Sequence, residues 1–329
     1  MYLDIPLYLA IVFVVFGLLL LAWSANVFID GAAALAKALG ISPFIVGMVI
    51  IGFGTSAPEL CVSALSGIAG HSDISLGNAY GSDVFNIAAI LGVAALIHPV
   101  RVKRGIVFFA VPALLFATIL SCGLVGAGGG FSRIDGVIQL AVFAVLLPGY
   151  CWFDQKNASP ASQPGDSAQE RPSIPKASFK LIVGLLVLAG SSHILVWGSV
   201  DLARAFGVSE LMIGLTVVGI GTSLPELASA IASARKGKNE FVLGNIVGSN
   251  FFNTLAVVGL AGTISPFKNI SPWIMRRDLP VILLLTVMIA VFGVNWGNMK
   301  KPGRINKLEG AVWVVMYLVY LAATIKLET

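Results

Sequence analysis

The chain has 329 residues, of which 57% are hydrophobic and only 11% charged, less than half the charged share of an ordinary soluble domain (about 25%). That balance excludes a soluble globular protein, and long apolar runs such as 105–125 and 279–294, which lack period-two alternation, exclude a membrane β-barrel. The net charge of +5 is scattered over short loops and one polar linker, a pattern of membrane topology rather than of nucleic-acid binding. At about 20 apolar residues per span, the sequence predicts an all-α polytopic membrane protein of about ten helices.

Residues 5–38 form the first segment, which stops at Gly40; residues 1–4 carry no Lys or Arg and the apolar run is too long for a signal peptide, so it is expected to remain as the first helix. Ser42 and Pro43 are an N-cap and a first-turn proline for the second helix, which runs to about Gly70. A third helix is expected over 75–97, closed by His98-Pro99, followed by spans at 105–125 and 134–152. From Asp154 to Ala177 the composition turns to Pro, Ser, Gln and charges without periodicity, which predicts a flexible linker. Segments at 178–206, 209–235, 241–264, 279–295 and 308–326 then repeat the pattern of the first half.

The repeat is literal. Residues 40–98 overlay 207–265 without a gap, and about two in five are identical. Gly52-Phe-Gly-Thr-Ser-Ala-Pro-Glu-Leu60 returns as Gly219-Ile-Gly-Thr-Ser-Leu-Pro-Glu-Leu227, and Gly77-Asn78, Gly81-Ser82 and Asn86 return as Gly244-Asn245, Gly248-Ser249 and Asn253. The expected units are therefore 1–153, the linker 154–177, and 178–329. Lys and Arg concentrate in alternate loops (Lys37, Arg101–Arg104, Arg235–Lys238, Lys300–Lys307), which predicts that both termini lie outside and the linker in the cytosol. Five spans per half is an odd number, so the copies cross in opposite directions, the inverted repeat of secondary transporters.

Glu59 and Glu226 stand at membrane depth beside Gly and Pro, where a carboxylate costs at least ~2.5 kcal/mol and marks a cavity or pathway. A single such Glu could merely join two helices; two in the same context argue for function. Thr55 and Glu59, Thr222 and Glu226, Ser82 and Asn86, and Ser249 and Asn253 are each four apart, on one helical face. Pro58 and Pro225 should free backbone oxygens near Gly54 and Gly221. Carboxylate, hydroxyl, amide and carbonyl oxygens without His or Cys make a hard-cation site suited to Ca²⁺. Ser56 and Ser223 are poor nucleophiles without a nearby base, since His71, His98 and His193 fall at span boundaries. Gly52-x-Gly54 follows no soluble strand that a dinucleotide fold would need. Cys61, Cys122 and Cys151 have no metal-ligand spacing. Neither catalytic residues nor a cofactor are expected. Asp83, where the second repeat has Asn250, either adds charge near the site or faces a water-filled cavity.

The paired Gly-Thr-Ser-x-Pro-Glu and Gly-Asn-x-x-Gly-Ser-x-x-x-Asn blocks resemble the α-repeats of the cation/Ca²⁺ exchanger superfamily, in particular its prokaryotic sodium/calcium exchangers. The resemblance implies ten helices in an inverted 5+5 repeat, a bacterial cytoplasmic membrane, and electrogenic exchange of several Na⁺ for one Ca²⁺ by alternating access. It assigns cation binding to Glu59 and Glu226, with further ligands from Thr55, Ser56, Thr222, Ser223, Ser82, Ser249 and the carbonyls of Gly52 and Gly219. Asn86 and Asn253 match its central amide or carboxylate positions. Partners are then Ca²⁺ and Na⁺, or H⁺ as the alternative coupling ion, with the lipid bilayer, no nucleic acid, and a monomer expected. One departure stands out: some relatives carry Asp where this chain has Asn253.

Overall fold

A segment that crosses lipid has to satisfy its own backbone, and this chain does so in long helices with sharply defined ends. In the computed structural model, which describes residues 6–70, 72–126, 130–157, 172–207, 219–268 and 270–328, α1 (Leu7–Leu39) stops where Gly40 takes a φ of 67° and its N–H bonds the Ala36 carbonyl. Ser42 caps α2 (Pro43–Thr55), accepting the Ile45 N–H at 3.2 Å, with Pro43 at the first position as the sequence predicts. The chain bends by 45° and continues as α3 (Ala57–Ile68). Then follow α4 (72–97), β1 (Val100–Val102), α5 (Ile106–Gly126) and α6 (Arg133–Asn157). The second half comprises α7 (Ile174–Ala205), the single turn α8 (Gly219–Gly221), α9 (Leu224–Arg235), α10 (Asn239–Ile264), α11 (274–293), β2 (Gly303–Ile305) and α12 (Lys307–Glu328).

Among the described residues seven helices are long and apolar enough to cross a membrane, or eight with the bent pair α2–α3 taken as one span. The span expected over 209–235 falls partly on 208–218, outside the described residues. The one expected over 279–295 is α11, whose first turn carries Arg276, Arg277 and Asp278. Helix also invades both ends of the predicted linker, since α6 runs to Asn157 and α7 starts at Ile174; the linker's middle, 158–171, lies outside the described residues. The fold is not purely helical either. β1 pairs antiparallel with β2, Val100 opposite Ile305, and a second clasp joins Phe131 to Phe267.

At the centre α4 and α10 cross antiparallel, Asn86 meeting Asn250 and Asp83 meeting Thr254. Every residue of 241–258 on α10 is buried. The surrounding helices expose apolar side chains outward, among them Leu19, Val145, Leu186 and Val319, as lipid-facing surfaces require. α1 and α7 pack through small residues in a symmetrical, antiparallel pattern. Gly17 sits against the Leu195 backbone and Gly31 against Leu181, while Gly184 meets Phe28 and Gly198 meets Val14. These pairs obey the same offset as the polar motifs, so the duplication extends to the first helix of each half.

Among the described residues five helices contain a wide π-helical stretch: Val46–Ile51 in α2, Ile106–Ala110 in α5, Ile274–Asp278 in α11, Phe85–Leu91 in α4 and Phe252–Val257 in α10. The last two occupy matching places in the repeats and hold Asn86 and Asn253. Such stretches displace side chains from regular helical spacing and recur at functional sites.

Candidate ion site between the two repeats

The site begins with a similar backbone break in each repeat. Ser56 (φ −83°, ψ 5°) and Ser223 (φ −93°, ψ 10°) lie outside helical geometry, each followed by a helix with Pro in its first turn. Glu59 and Glu226 consequently sit in first turns of α3 and α9, where unbonded amides and the helix dipole favour negative charge. Both side chains are completely buried.

Each carboxylate is then held by the opposite repeat. Ser223 Oγ donates to Glu59 Oε1 at 2.9 Å and Ser56 Oγ donates to Glu226 Oε1 at 3.1 Å. Ser223 Oγ is also 3.1 Å from Ser82 Oγ. Thr222 lies beside Glu59, and Thr55 and Ser249 beside Glu226. Glu59 Oε2 and Glu226 Oε2 remain without hydrogen-bond partners although fully buried. Among the described residues no ion pair involves either glutamate; the pairs are elsewhere, as in Lys103–Glu240 and Lys236–Asp30. Two buried acids with two free oxygens and no protein cation suit a bound positive ion.

Backbone placement comes from residues the sequence reading left out of the site. Asn78 Nδ2 donates to the Glu59 carbonyl at 3.0 Å, and Asn245 Nδ2 to the Glu226 carbonyl at 3.4 Å. Asn245 Oδ1 also accepts from Thr55 Oγ1 at 3.2 Å. The signal was present, since both asparagines belong to the duplicated Gly-Asn pair.

The remaining predicted ligands divide. The Gly52 carbonyl is buried but already accepts the Ser56 N–H at 3.0 Å and lies 3.5 Å from Ser249 Oγ. Gly219 opens α8, matching Gly52 in the repeat. Of the two carbonyls expected to be freed by proline, Gly221's is taken by Ser192 Oγ at 3.0 Å; the matching residue of the first half is Ala25, so the sequence repeat hid this bond. Asn86 and Asn253 do not join the carboxylates through bonds of ordinary length. Asn86 Nδ2 donates to Asn250 Oδ1 at 3.1 Å, and Asn253 has both side-chain polar atoms unpartnered. Both asparagines lie in the π-helical stretches 85–91 and 252–257, where side chains leave regular helical spacing. Asp83 is buried and accepts from Thr254 Oγ1 at 2.7 Å; among the described residues no three His, Cys, Asp or Glu side chains converge on a common metal position.

Comparison with known proteins agrees with this architecture along the whole chain. The family described as "Sodium/calcium exchanger protein" matches residues 9–149 and 176–326. The putative antiporter CaxA of Alkalimonas amylolytica is 37% identical over 316 residues, covering 94% of this chain and 97% of its own. Inner membrane protein YrbG of Escherichia coli (strain K12) is 36% identical over 305 residues, covering 90% and 91%. A solved structure of the sodium-calcium exchanger NCX_Mj superposes with a TM-score of 0.82 at 26% identity, covering 96% of this chain and 99% of that one. With both repeats matched and a buried carboxylate in the first turn of a helix that follows a non-helical serine in each, this integral membrane protein, a transporter and not an enzyme, belongs to the sodium/calcium exchanger protein family.

Proposed function

We propose that the chain exchanges Na⁺ for Ca²⁺ across a bacterial cytoplasmic membrane by alternating access at the Glu59–Glu226 site. The observation that carries this reading is the crossed bracing of the two carboxylates, Ser223 on Glu59 and Ser56 on Glu226, which leaves one free oxygen on each. Two carboxylates balance one Ca²⁺, and the hydroxyls of Thr55, Ser56, Ser82, Thr222, Ser223 and Ser249, with the carbonyls of Gly52 and Gly219, complete an all-oxygen shell that Ca²⁺ tolerates better than Mg²⁺. Because each acid is held by a serine of the other half, relative movement of the halves changes both at once. That coupling lets a single site open to one side at a time.

The arrangement in the membrane follows from the same symmetry. Ten helices in two inverted sets of five, 1–153 and 178–329, with both termini outside and the 154–177 linker in the cytosol, account for the antiparallel crossings of α1 with α7 and of α4 with α10. They also place the cluster from Arg101 to Arg104 and that from Arg235 to Lys238 on the cytosolic side. Ca²⁺ and Na⁺ are cargo, and no resident cofactor is required.

The test is ⁴⁵Ca²⁺ uptake into proteoliposomes holding this protein under imposed Na⁺, H⁺ or K⁺ gradients. Uptake driven by an outward Na⁺ gradient, saturable in Ca²⁺, is expected. Uptake driven only by H⁺ would assign the coupling to protons, and non-saturable flux independent of any counter-ion would replace the antiporter with a channel.

A further inference from the structure

The strand clasp between the halves carries an arrangement that its own stability does not explain. β1 and β2 pair with Arg101 directly opposite Arg304. Both arginines are exposed, while Val100, Val102 and Ile305 are fully buried. Residues directly opposed in an antiparallel pair stand about 4.5–5.5 Å apart at Cβ, and like charges so placed destabilise the ladder. This ladder has three residue pairs to hold it. Nearby lysines find acids, since Lys103 bonds Glu240 at 2.9 Å, and Lys236 and Lys238 reach Asp30 at 2.8 and 3.4 Å. Among the described residues Arg101 and Arg304 form no ion pair.

Arg101 also lines a cleft of about 600 Å³ between the end of α1, the α9–α10 turn and β1. That is the size of a small-molecule pocket. Lys37, Arg101, Lys103 and Lys238 line it against a single acid, Glu240, which Lys103 engages. The turn leading into β2 exposes Trp296 and Met299 beside Lys300 and Lys301, the mixture of aromatic, apolar and cationic side chains that sits at a membrane–water interface. Charges that only orient a chain in the membrane need not be arginine and need not stand in register. Two guanidinium forks side by side, without acids, match the oxygens of a phosphate group.

We propose that Arg101 and Arg304 grip the phosphate of an anionic phospholipid whose headgroup enters the adjoining cleft. The bound phosphate cancels the repulsion across the clasp and so ties the α4–α5 connection of the first half to the α11–α12 connection of the second. Without the lipid, the clasp is held by its backbone bonds and the buried side chains of Val100, Val102 and Ile305. The site shares no residue with the Glu59–Glu226 site, and its test does not depend on which ions are exchanged.

The test is native mass spectrometry of the delipidated full chain, released from neutral-detergent micelles after titration with phosphatidylglycerol or, separately, phosphatidylcholine. The wild type is expected to take up phosphatidylglycerol in preference. Arg101→Gln with Arg304→Gln is expected to raise the half-saturating phosphatidylglycerol concentration about tenfold or more, through loss of charge-assisted bonds from two guanidinium groups. Arg133→Gln with Arg276→Gln removes the same charge from exposed positions away from the clasp and is expected to leave that concentration within about twofold, because charge alone is weakly held at a screened surface. A wild type without preference for phosphatidylglycerol, an unchanged Arg101→Gln with Arg304→Gln protein, or equal losses in the two double variants would each overturn the proposal. A parallel titration of the thermal unfolding midpoint with inorganic phosphate and glycerol phosphate, at constant ionic strength, separates a free phosphate from a lipid one. No stabilisation is expected there; stabilisation that Arg101→Gln with Arg304→Gln abolishes would give the site to a soluble phosphate and overturn the lipid assignment.

Discussion

Replacing Gly248 by Ala should part the two helices that frame the Glu226 side of the site. A β-carbon at Gly248 would collide with the Met48 carbonyl oxygen and come within 2.7 Å of Met48 Cα, where ordinary contact begins at 3.4 Å. Both obstacles are backbone, so α2 and α10 must separate by no less than roughly 0.7 Å. Overpacking of this kind costs about 1–3 kcal/mol of stability. Two bridges between the same helices would then exceed hydrogen-bond reach, Thr55 Oγ1 to Asn245 Oδ1 at 3.2 Å and Ser249 Oγ to the Gly52 carbonyl at 3.5 Å. At about 1 kcal/mol each, their loss predicts a half-saturating Ca²⁺ concentration about 30-fold higher. The assay is initial ⁴⁵Ca²⁺ uptake against Ca²⁺ concentration in proteoliposomes, with protein amount normalised and the unfolding midpoint measured in parallel. Gly123→Ala, at an exposed helical position with nothing within 4 Å of the added carbon, is the control and should be neutral. A Gly248→Ala protein with wild-type Ca²⁺ dependence would refute the claim that this backbone contact sets the site's geometry.

Glu59→Gln and Glu226→Gln should each nearly abolish Ca²⁺ uptake at unchanged membrane expression, because each removes half the charge facing one divalent ion; wild-type uptake in either would sink the assignment. Ser56→Ala and Ser223→Ala should raise the half-saturating Ca²⁺ concentration by similar factors, about 10-fold or more for loss of one hydrogen bond to a charged group; a large effect from one and none from the other would deny that the bracing is symmetrical. Deleting 160–168 should leave uptake intact, since that composition cannot bury enough apolar surface to fold, and loss of uptake in a well-inserted deletion would give the linker a role. Ser192→Ala should perturb transport more than Ser24→Ala, because Ser192 holds the Gly221 carbonyl of the site-bearing bend while Ser24 bonds only the Leu21 carbonyl of its own helix; equal effects would remove that carbonyl from the argument.

The duplicated motifs were legible because buried carboxylates, prolines and glycines are rare in apolar helices, so their return at one fixed offset carries information. The bends at Ser56 and Ser223 could be placed from Pro58 and Pro225 within a few residues. The α1–α7 pairing was written in the same offset by Gly17 and Gly184 and by Gly31 and Gly198, but glycines scattered in apolar helices look ordinary until their neighbours are known. The wide turns were not legible at all. Phe85–Leu91 and Phe252–Val257 use the same residue types as regular helix, and only the packing of α4 on α10 reveals that Asn86 bonds Asn250 of the other repeat. The strand pair escaped for a related reason, since three residues after a helix end carry no periodicity of their own.

That strand pair governs the order in which the molecule can be assembled. β1 is complete at Val102, yet its partner, Gly303–Ile305, lies some two hundred residues downstream, and Phe131 waits similarly for Phe267. At the usual pace of synthesis, about 5–20 residues per second, the first half spends on the order of ten to forty seconds in the bilayer with the edge of β1 open. Glu59 spends most of that interval without the serine that will hold it. The newborn half-protein is therefore the state most exposed to mispairing and to quality control, and a substitution harmless in the finished fold, such as one that makes 100–102 stickier, can still lower yield.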